Sequence, residues 1–324
     1  MSMGVLLYRS VIAPVHHGEM MKRVDSCSYN NIKFVFISSL AFKSHILTPQ
    51  LLSLPYQLVI DPALQETTKQ TTKKGGTKKE KIMSSSKKHV VFDVVGTCVS
   101  FDAFYEAIDS TIGAKLRQHT ITAQHFGFSW QTSAEIEFTF FSIHGGYKPY
   151  KDLLSGFFYR TLSLCGVQDP KSIFTDEERD RCVEGYSALK MRPGCHEMFQ
   201  ILRDNGFTIW ALTTGDVKRV SGYFERANLH MPLENLVSCD SVGVAKPSLA
   251  AYRVMWDRLG ENDVKWFAAG HMWDVTAATK VGFRGAFTTV YEKDACLDVF
   301  TEAKIEVVED SMVGLARAIV EKSA

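Results

Sequence analysis

The sequence predicts an α/β protein: a parallel sheet with helices on both faces, interrupted early by a block of helices. Three observations carry that expectation. Short apolar runs rich in β-branched residues alternate with helix-length stretches from about residue 190 to the C-terminus. Polar groups follow four of the strand-like runs, at Asp93, Thr213 with Thr214, Lys246 and Asp274. Between the first run and the second, residues 102–189 carry helical spacing with no strand-like alternation.

Composition narrows the class. A chain of 324 residues has room for a core and a smaller second domain. Hydrophobic residues at 45% and charged residues at 23% are ordinary for a globular protein. A net charge of +1 offers no argument for nucleic acid or an anionic membrane. Seven cysteines, an odd number with no CxxC pair, suggest neither a zinc site nor a disulfide framework. Reduced thiols in the cytoplasm are the expectation. No apolar run approaches the length of a membrane span.

In chain order, residues 1–62 hold apolar pieces such as Phe34-Val35-Phe36-Ile37 but no periodic helix or paired strands that the pattern identifies. Residues 64–88 are rich in Thr, Lys and Gly and cannot bury enough apolar surface to offset their ordering entropy. Residues 1–87 are therefore expected to be a disordered extension and linker, with Met83 a natural start for the folded part. His89-Val90-Val91-Phe92 then reads as a buried parallel strand that stops on Asp93, with a turn at Gly96-Thr97. Phe104, Ile108, Ile112 and Leu116 recur at fours, and helical pieces follow near 133–142, 150–165 and 176–188. From Pro193-Gly194 the pattern alternates again. It gives a helix to about Asp204, a strand over 208–212, a helix over 217–228 and a short strand over 236–239. Pro247 suits the first turn of a helix containing Tyr252 and Trp256. Strands over 264–269, 285–289 and 305–308 follow, with helices to about Val281 and over 312–320. The core is thus 88–101 with 190–324, and the helical insertion is 102–189.

In a parallel sheet, strand carboxyl ends lie on one edge, so Asp93, Thr213, Thr214, Lys246 and Asp274 can converge there. Singly, each has an ordinary explanation. Asp93 can be a metal ligand, a base or a nucleophile, or can cap the following loop. Thr213 can cap the next helix, Lys246 can lie at the surface, and Asp274 can sit in a helix's first turn.

Taken together, in this order, residues 88–322 resemble the haloacid dehalogenase-like hydrolases. The carrying motifs are Asp93 with Gly96-Thr97, Thr213, Lys246-Pro247 and Asp274. The closest likeness is to the 2-haloacid dehalogenase branch. Pro247 after Lys246, Tyr252 six residues after it, Trp273-Asp274, and Thr213-Thr214-Gly215 in place of Ser-Asn-Gly carry that likeness. The resemblance implies a Rossmann-like core with a small helical cap. It implies Asp93 as nucleophile, oriented by Lys246, forming an ester at carbon that water opens, with Asp274 orienting Lys246 or the water. Thr213, Thr214, Val95, Trp273 and Tyr252 would surround a small-molecule substrate, an organic acid. It admits a homodimer.

The phosphatase branch, the runner-up, needs a second acid two residues after the nucleophile and a further acid at the fourth loop. Here Val95 and Ala269-Gly270 stand there, so neither metal nor other cofactor is expected. A catalytically silent binding member is the reading from another class. Two departures stand out. The branch's early-cap arginine aligns with Gln131 near Trp130, leaving Arg117 and Arg160 as substitutes. The branch's fourth-motif asparagine is His271, which can activate water or be a structural histidine. Trp130, Phe138, Phe140 and Tyr147 can line a pocket or pack the cap. Fungal relatives of similar sequence accompany secondary-metabolite pathways, which adds a tailoring hydrolase to the expectations.

Overall fold

The computed structural model describes residues 86–324 and, before them, the backbone of three strands. These are β1 Leu7–Val11, β2 Lys22–Tyr29 and β3 Ile32–Ser39, paired antiparallel in that order within a unit separate from the rest of the chain. The pattern had identified no paired strands here. Stretches such as Lys22-Arg23-Val24-Asp25-Ser26 mix charge with short side chains and carry little period-two signal. Of the linker expected over 64–88, residues 64–85 lie outside the described residues, and Lys88 opens the first strand of the core.

The core begins with β4 Lys88–Phe92, followed by β5 Val99–Ser100. The cap comprises α1 Asp102–Gln118, α2 Ala123–Ile143, α3 Tyr150–Gly156, α4 Phe158–Leu164, α5 Pro170–Ile173 and α6 Asp176–Ser187. The chain returns through β6 Lys190–Met191 and α7 Cys195–Asp204. The remaining elements are β7 Phe207–Thr213, α8 Val217–Arg226, β8 Leu236–Ser238, α9 Cys239–Val242, α10 Leu249–Trp256, β9 Val264–Ala269, α11 Met272–Val281, β10 Arg284–Thr288, β11 Ile305–Glu309 and α12 Met312–Glu321.

Six strands form one parallel sheet in the order β11-β10-β9-β4-β7-β8. β4 is flanked by β9 and β7, so the chain winds outward from it in both directions. That is the switch point where the loops at the carboxyl edge part and leave a crevice. Alternation along β4 explains the two packed faces. Val90 and Phe92 join a core with α7, α12 and the cap, whereas Val91 joins Phe267, Tyr252 and Val275 on the other side.

The cap is built on α1 and α2. Phe104, Ile108, Ile112 and Leu116 are all buried along α1, as their spacing predicts. Thr122 caps α2 by accepting the His125 N–H, which starts that helix ten residues earlier than the apolar pattern suggested. The piece expected over 150–165 divides at Phe157 into α3 and α4. Thr175 and Glu178 form a reciprocal capping box at the start of α6. Pro247 does not open α10; Ser248 is the N-cap residue and the helix begins at Leu249. A two-stranded antiparallel ribbon of β5 and β6, too short for any periodicity, joins cap to core.

Candidate active site

β4 delivers Asp93 to the carboxyl edge, and the backbone holds it there: its N–H donates to Ala268 O at 3.0 Å, extending the ladder with β9. The chain then turns at Gly96, whose φ of +89° suits a residue without a Cβ. The turn brings Thr97 back beneath the carboxylate. Its hydroxyl donates to Asp93 Oδ2 at 2.6 Å and accepts the Gly270 N–H at 2.8 Å.

Lys246 fills the space on the other side. Its side chain is 1% exposed, and its ammonium donates to three oxygens: Asp93 Oδ1 at 2.8 Å, Asp274 Oδ2 at 2.6 Å and Leu212 O at 3.2 Å. Three protons meet three acceptors, which is the full capacity of a lysine. Asp274, in the first turn of α11 and wholly buried, takes the Tyr252 hydroxyl on its second oxygen. A continuous line of hydrogen bonds therefore runs from Tyr252 through Asp274, Lys246, Asp93 and Thr97 to the backbone of Gly270.

This network sets the charge states. Burial alone would raise the Asp93 pKa, but Lys246 and then His271 outweigh it and hold the carboxyl well below the usual carboxylate range. Burial would lower the Lys246 pKa; Asp274 and Asp93 reverse this and hold the ammonium charged well above its ordinary value. Asp274 is pushed up by burial and by the neighbouring Asp93, with Lys246 opposing. His271 is 5% exposed and sits 3.4 Å through Nδ1 from Asp93 Oδ2, and neither ring nitrogen makes a well-formed hydrogen bond. Burial lowers its pKa, and the contact with Asp93 raises it above the ordinary value on balance. Tyr291 and Trp273 flank the ring at 4.8 and 5.5 Å between centroids.

A small chamber of about 50 Å³ opens onto Asp93. Its wall includes Val95, Glu135, Thr214, Lys246, His271 and Trp273. It adjoins a far larger cavity of about 1360 Å³, and Glu135, Thr139, His271 and Trp273 line both. The structure thus brings Asp93, Lys246, His271, Val95, Thr214 and Trp273 to one chamber, with Asp274 directly behind Lys246.

Other expected site residues lie elsewhere. Thr213 is buried beneath the loop, where its hydroxyl accepts the Gly215 N–H; the next helix is capped by Asp216 instead. Tyr252 reaches the network only through Asp274, since its ring is packed against Phe267. Gln131 is fully buried and lines neither cavity. Its amide donates to the Tyr291 hydroxyl at 2.7 Å, and its carbonyl accepts from Tyr105 at 3.2 Å, so it braces the cap against the core. Its helical neighbours Thr132 and Glu135 face the cavity in its place. Arg117 and Arg160 are paired at the surface with Asp109 and Glu137, at 2.6 and 2.9 Å. Among the cap aromatics, Phe138 lines the chamber and Phe140 the outer cavity. Trp130 is core, donating to Leu154 O, and Tyr147 donates to Asp240 Oδ1.

Three participants escaped the sequence reading. Thr97 was identified only as a turn residue, although a hydroxyl four residues after the acid was a usable signal. Glu135 sits within an α2 pattern that reads as surface. Arg192, half-buried, donates to Gly96 O and Thr97 O at 2.9 and 3.0 Å and lines the outer cavity; no local motif marks it.

The donor set does not suit a divalent cation. Val95 and Ala269 are apolar, Gly270 has no side chain, and the Lys246 ammonium already stands between Asp93 and Asp274. The six described cysteines are free, and no helix among the described residues is long and apolar enough to cross a membrane.

Comparison with known proteins bears on the family and the fold. The family described as haloacid dehalogenase-like hydrolase matches residues 87–282. (S)-2-haloacid dehalogenase 1 of Pseudomonas sp. (strain CBS-3) is 23% identical over 195 residues, covering 59% of this chain and 83% of that protein. The fold is similar to L-2-haloacid dehalogenase from Xanthobacter autotrophicus, with a TM-score of 0.57 at 18% identity, covering 72% of this chain and 98% of that one. The same enzyme with chloropropionic acid covalently bound aligns with a TM-score of 0.56 at 19% identity, over 72% and 98% of the two chains.

Proposed function

Because the chain belongs to the haloacid dehalogenase-like hydrolase family, we propose that it hydrolyses a small organic molecule by displacement at carbon through an ester on Asp93. The observation that carries the reading is the Lys246 ammonium fixed between Asp93 and Asp274. It keeps Asp93 ionised without spending a metal ion, and Thr97 fixes the carboxylate's second oxygen. Each oxygen retains a lone pair, and the chamber gives substrate carbon access to it. Attack forms a bond from an Asp93 oxygen to carbon and expels the leaving group. Water then adds to the carbonyl carbon of the Asp93 ester and restores the carboxylate. The Asp93 charge raises the His271 pKa in the resting site and is removed when the ester forms; His271, beside Asp93 with both ring nitrogens unpartnered, is then the group we assign to hold and deprotonate that water. Trp273 and Thr214 contact the substrate in this reading, and Val95 supplies an apolar wall.

The covalently bound chloropropionic acid of the Xanthobacter enzyme supports the ester intermediate. The absence of a second acid at Val95 counts against a phosphatase, and the paired Asp93 and Lys246 count against a silent binding member. We further propose a cytoplasmic enzyme that tailors a natural product, in keeping with an outer cavity larger than the roughly 300–1,000 Å³ of ordinary small-molecule pockets.

The test is a single turnover in H₂¹⁸O with 2-chloropropionate, followed by mass analysis of the peptide containing Asp93. The ester route leaves ¹⁶O in the first product and puts ¹⁸O into Asp93. Product carrying ¹⁸O from an unlabelled Asp93 would establish direct attack by water. Asp93→Asn should abolish turnover with the melting temperature little changed.

A further inference from the structure

One group in the chamber is unused by this mechanism. Glu135 extends from α2 in the cap and lines both the chamber and the outer cavity. Its carboxyl makes no hydrogen bond or ion pair with any described residue; only burial and distant charges act on it. Facing it from the core is His271, more than nine-tenths buried and with neither ring nitrogen partnered. Glu135, half-buried between the two cavities, and His271, buried with both nitrogens unpartnered, thus border a space of about 50 Å³ that the Asp93 carboxylate also lines.

The chamber's cations are already committed. The three protons of Lys246 are taken by Asp93, Asp274 and Leu212 O. Arg192, at the outer cavity, is engaged by Gly96 O and Thr97 O. A halide leaving from carbon needs positive charge or donors around it and takes up no proton. An oxygen leaving from carbon must be protonated as it leaves, and the position two residues after Asp93 is Val95, which has no proton to give. The lysine and arginine cations are thus committed, His271 is the free donor that remains, and an uncommitted carboxyl stands opposite the nucleophile.

We propose that Glu135 is a proton donor brought to the chamber by the cap, and that the bond broken is a carbon–oxygen bond of an epoxide. The inference rests on Asp93 acting as nucleophile. An Asp93 oxygen bonds to a ring carbon, the ring carbon–oxygen bond breaks, and its electron pair goes to oxygen, which takes the Glu135 proton. Water then adds to the ester carbonyl of Asp93 and its oxygen stays there; the acyl carbon–oxygen bond opens, the product oxygen takes one of the water's protons, and the other returns to Glu135 through His271. Epoxide plus water gives diol, with no change of oxidation state. Ring strain selects the epoxide, because an unstrained ether would release an alkoxide too basic for a carboxylate to displace.

The charge state of Glu135 agrees. Burial pushes its pKa up to about 7, and Asp93 and Glu292 add to this while His271 and Lys246 oppose it. Tyr105 of α1, Tyr150 of α3, Tyr186 of α6 and Tyr291 also face this acid, each with its own pKa raised. A carboxyl with that pKa is protonated in a large share of molecules near neutrality and can both give and recover a proton. The outer cavity describes the rest of the substrate. Phe101, Tyr105, Phe128 and Phe140 give it an aromatic lining, with Lys293 at its wall, which suits an aryl or extended carbon chain bearing an acid group.

A matched pair of substrates tests this: trans-3-phenylglycidate and 2-chloro-3-phenylpropionate, which share the phenyl and carboxylate but lose oxygen and chloride respectively. The wild-type chain should convert the glycidate to its diol. Glu135→Gln should lower that rate by about 10²–10⁴-fold, the usual contribution of a general acid, and lower chloride release by less than about tenfold. In the wild type, kcat/KM for the epoxide should fall as pH rises through about 7, because Glu135 must carry a proton. The chloride profile should lack that limb, and Glu135→Gln should lose it. Titration of His271 affects both substrates, so the difference between the profiles belongs to Glu135. Absence of diol from the wild type overturns the inference, as does an equal loss on both substrates, which would make Glu135 a positioning residue. Incorporation of ¹⁸O into Asp93 is scored separately. Label with chloride release but no diol leaves the nucleophile standing and removes only the epoxide, whereas unlabelled Asp93 removes the reading beneath both.

Discussion

Replacing Lys246 by Met keeps the length of the side chain and deletes the charge that separates two carboxylates. The side chains of Asp93 and Asp274 are 8% and 0% exposed, so neither can turn to water for compensation. Removing one member of a buried ionic cluster costs about 3–5 kcal/mol, because the partner charge is left unpaired. Two partners are stranded here, so the upper end of that range applies near pH 8. The cost should depend on pH in a definite sense. In the wild type, Asp93 is held below its ordinary pKa and Lys246 above its own. Their contribution is therefore fully present between about pH 4 and pH 10, disappearing only as pH falls through the depressed Asp93 pKa or rises through the elevated Lys246 pKa. In Lys246→Met, burial raises both carboxyls above their unfolded values. The folded state then takes up a proton, and stability is lost as pH rises, by about 1.4 kcal/mol per pH unit for each group between its unfolded and folded pKa. Urea unfolding of wild type and variant at pH 5 and pH 8 measures the slope. The deficit should grow toward pH 8, and adding Asp274→Asn to the variant should recover part of it. A deficit below about 1 kcal/mol at pH 8, or one that shrinks as pH rises, would refute the buried three-group arrangement.

Two further outcomes follow from the same geometry. Gly96→Ala places a Cβ into the His271 ring at a backbone φ of +89°; it should lower stability by about 1–3 kcal/mol and displace the His271 imidazole resonances, whereas an unchanged melting curve and spectrum would mean that the turn does not pack on that ring. Turnover should persist in EDTA, since Val95 and Ala269 offer no side-chain oxygen and the Lys246 ammonium already stands between the two carboxylates; activity that disappears on chelation and returns with Mg²⁺ would restore the phosphatase reading.

The periodic parts of this fold were legible because burial imposes them. β4 runs His89-Val90-Val91-Phe92 as a strand buried on both faces must, and α1 repeats its apolar residues at fours. Asp93 and Asp274 were legible for a related reason, since a lone acid ending or following an apolar run is costly unless something receives it. Lys246 needed its surroundings: a lysine in a loop reads as surface, and only the two carboxylates across the sheet edge explain its burial. Gln131 shows the limit in the cap. One helical residue is 100° of rotation, and that step separates a buried brace between Tyr105 and Tyr291 from the cavity-facing Thr132. Glu135, in turn, looks from sequence like any solvated acid on a long helix. The small ribbon of β5 and β6 has no period to detect, because two residues are fewer than any period test needs.

That ribbon has a consequence for how such proteins diversify. The chain leaves the core at Val99–Ser100 and returns at Lys190–Met191, and these segments are hydrogen-bonded neighbours, about 5 Å apart from strand to strand. Whatever lies between them is a loop whose ends are already joined, so its length can change at a closure cost that grows only logarithmically. The whole cap is therefore a cassette. It can be exchanged or redrawn through two adjoining splice points while the sheet beneath, with its acid, lysine and second acid, is inherited intact. New substrates can be acquired at the lid without relearning the reaction at the base.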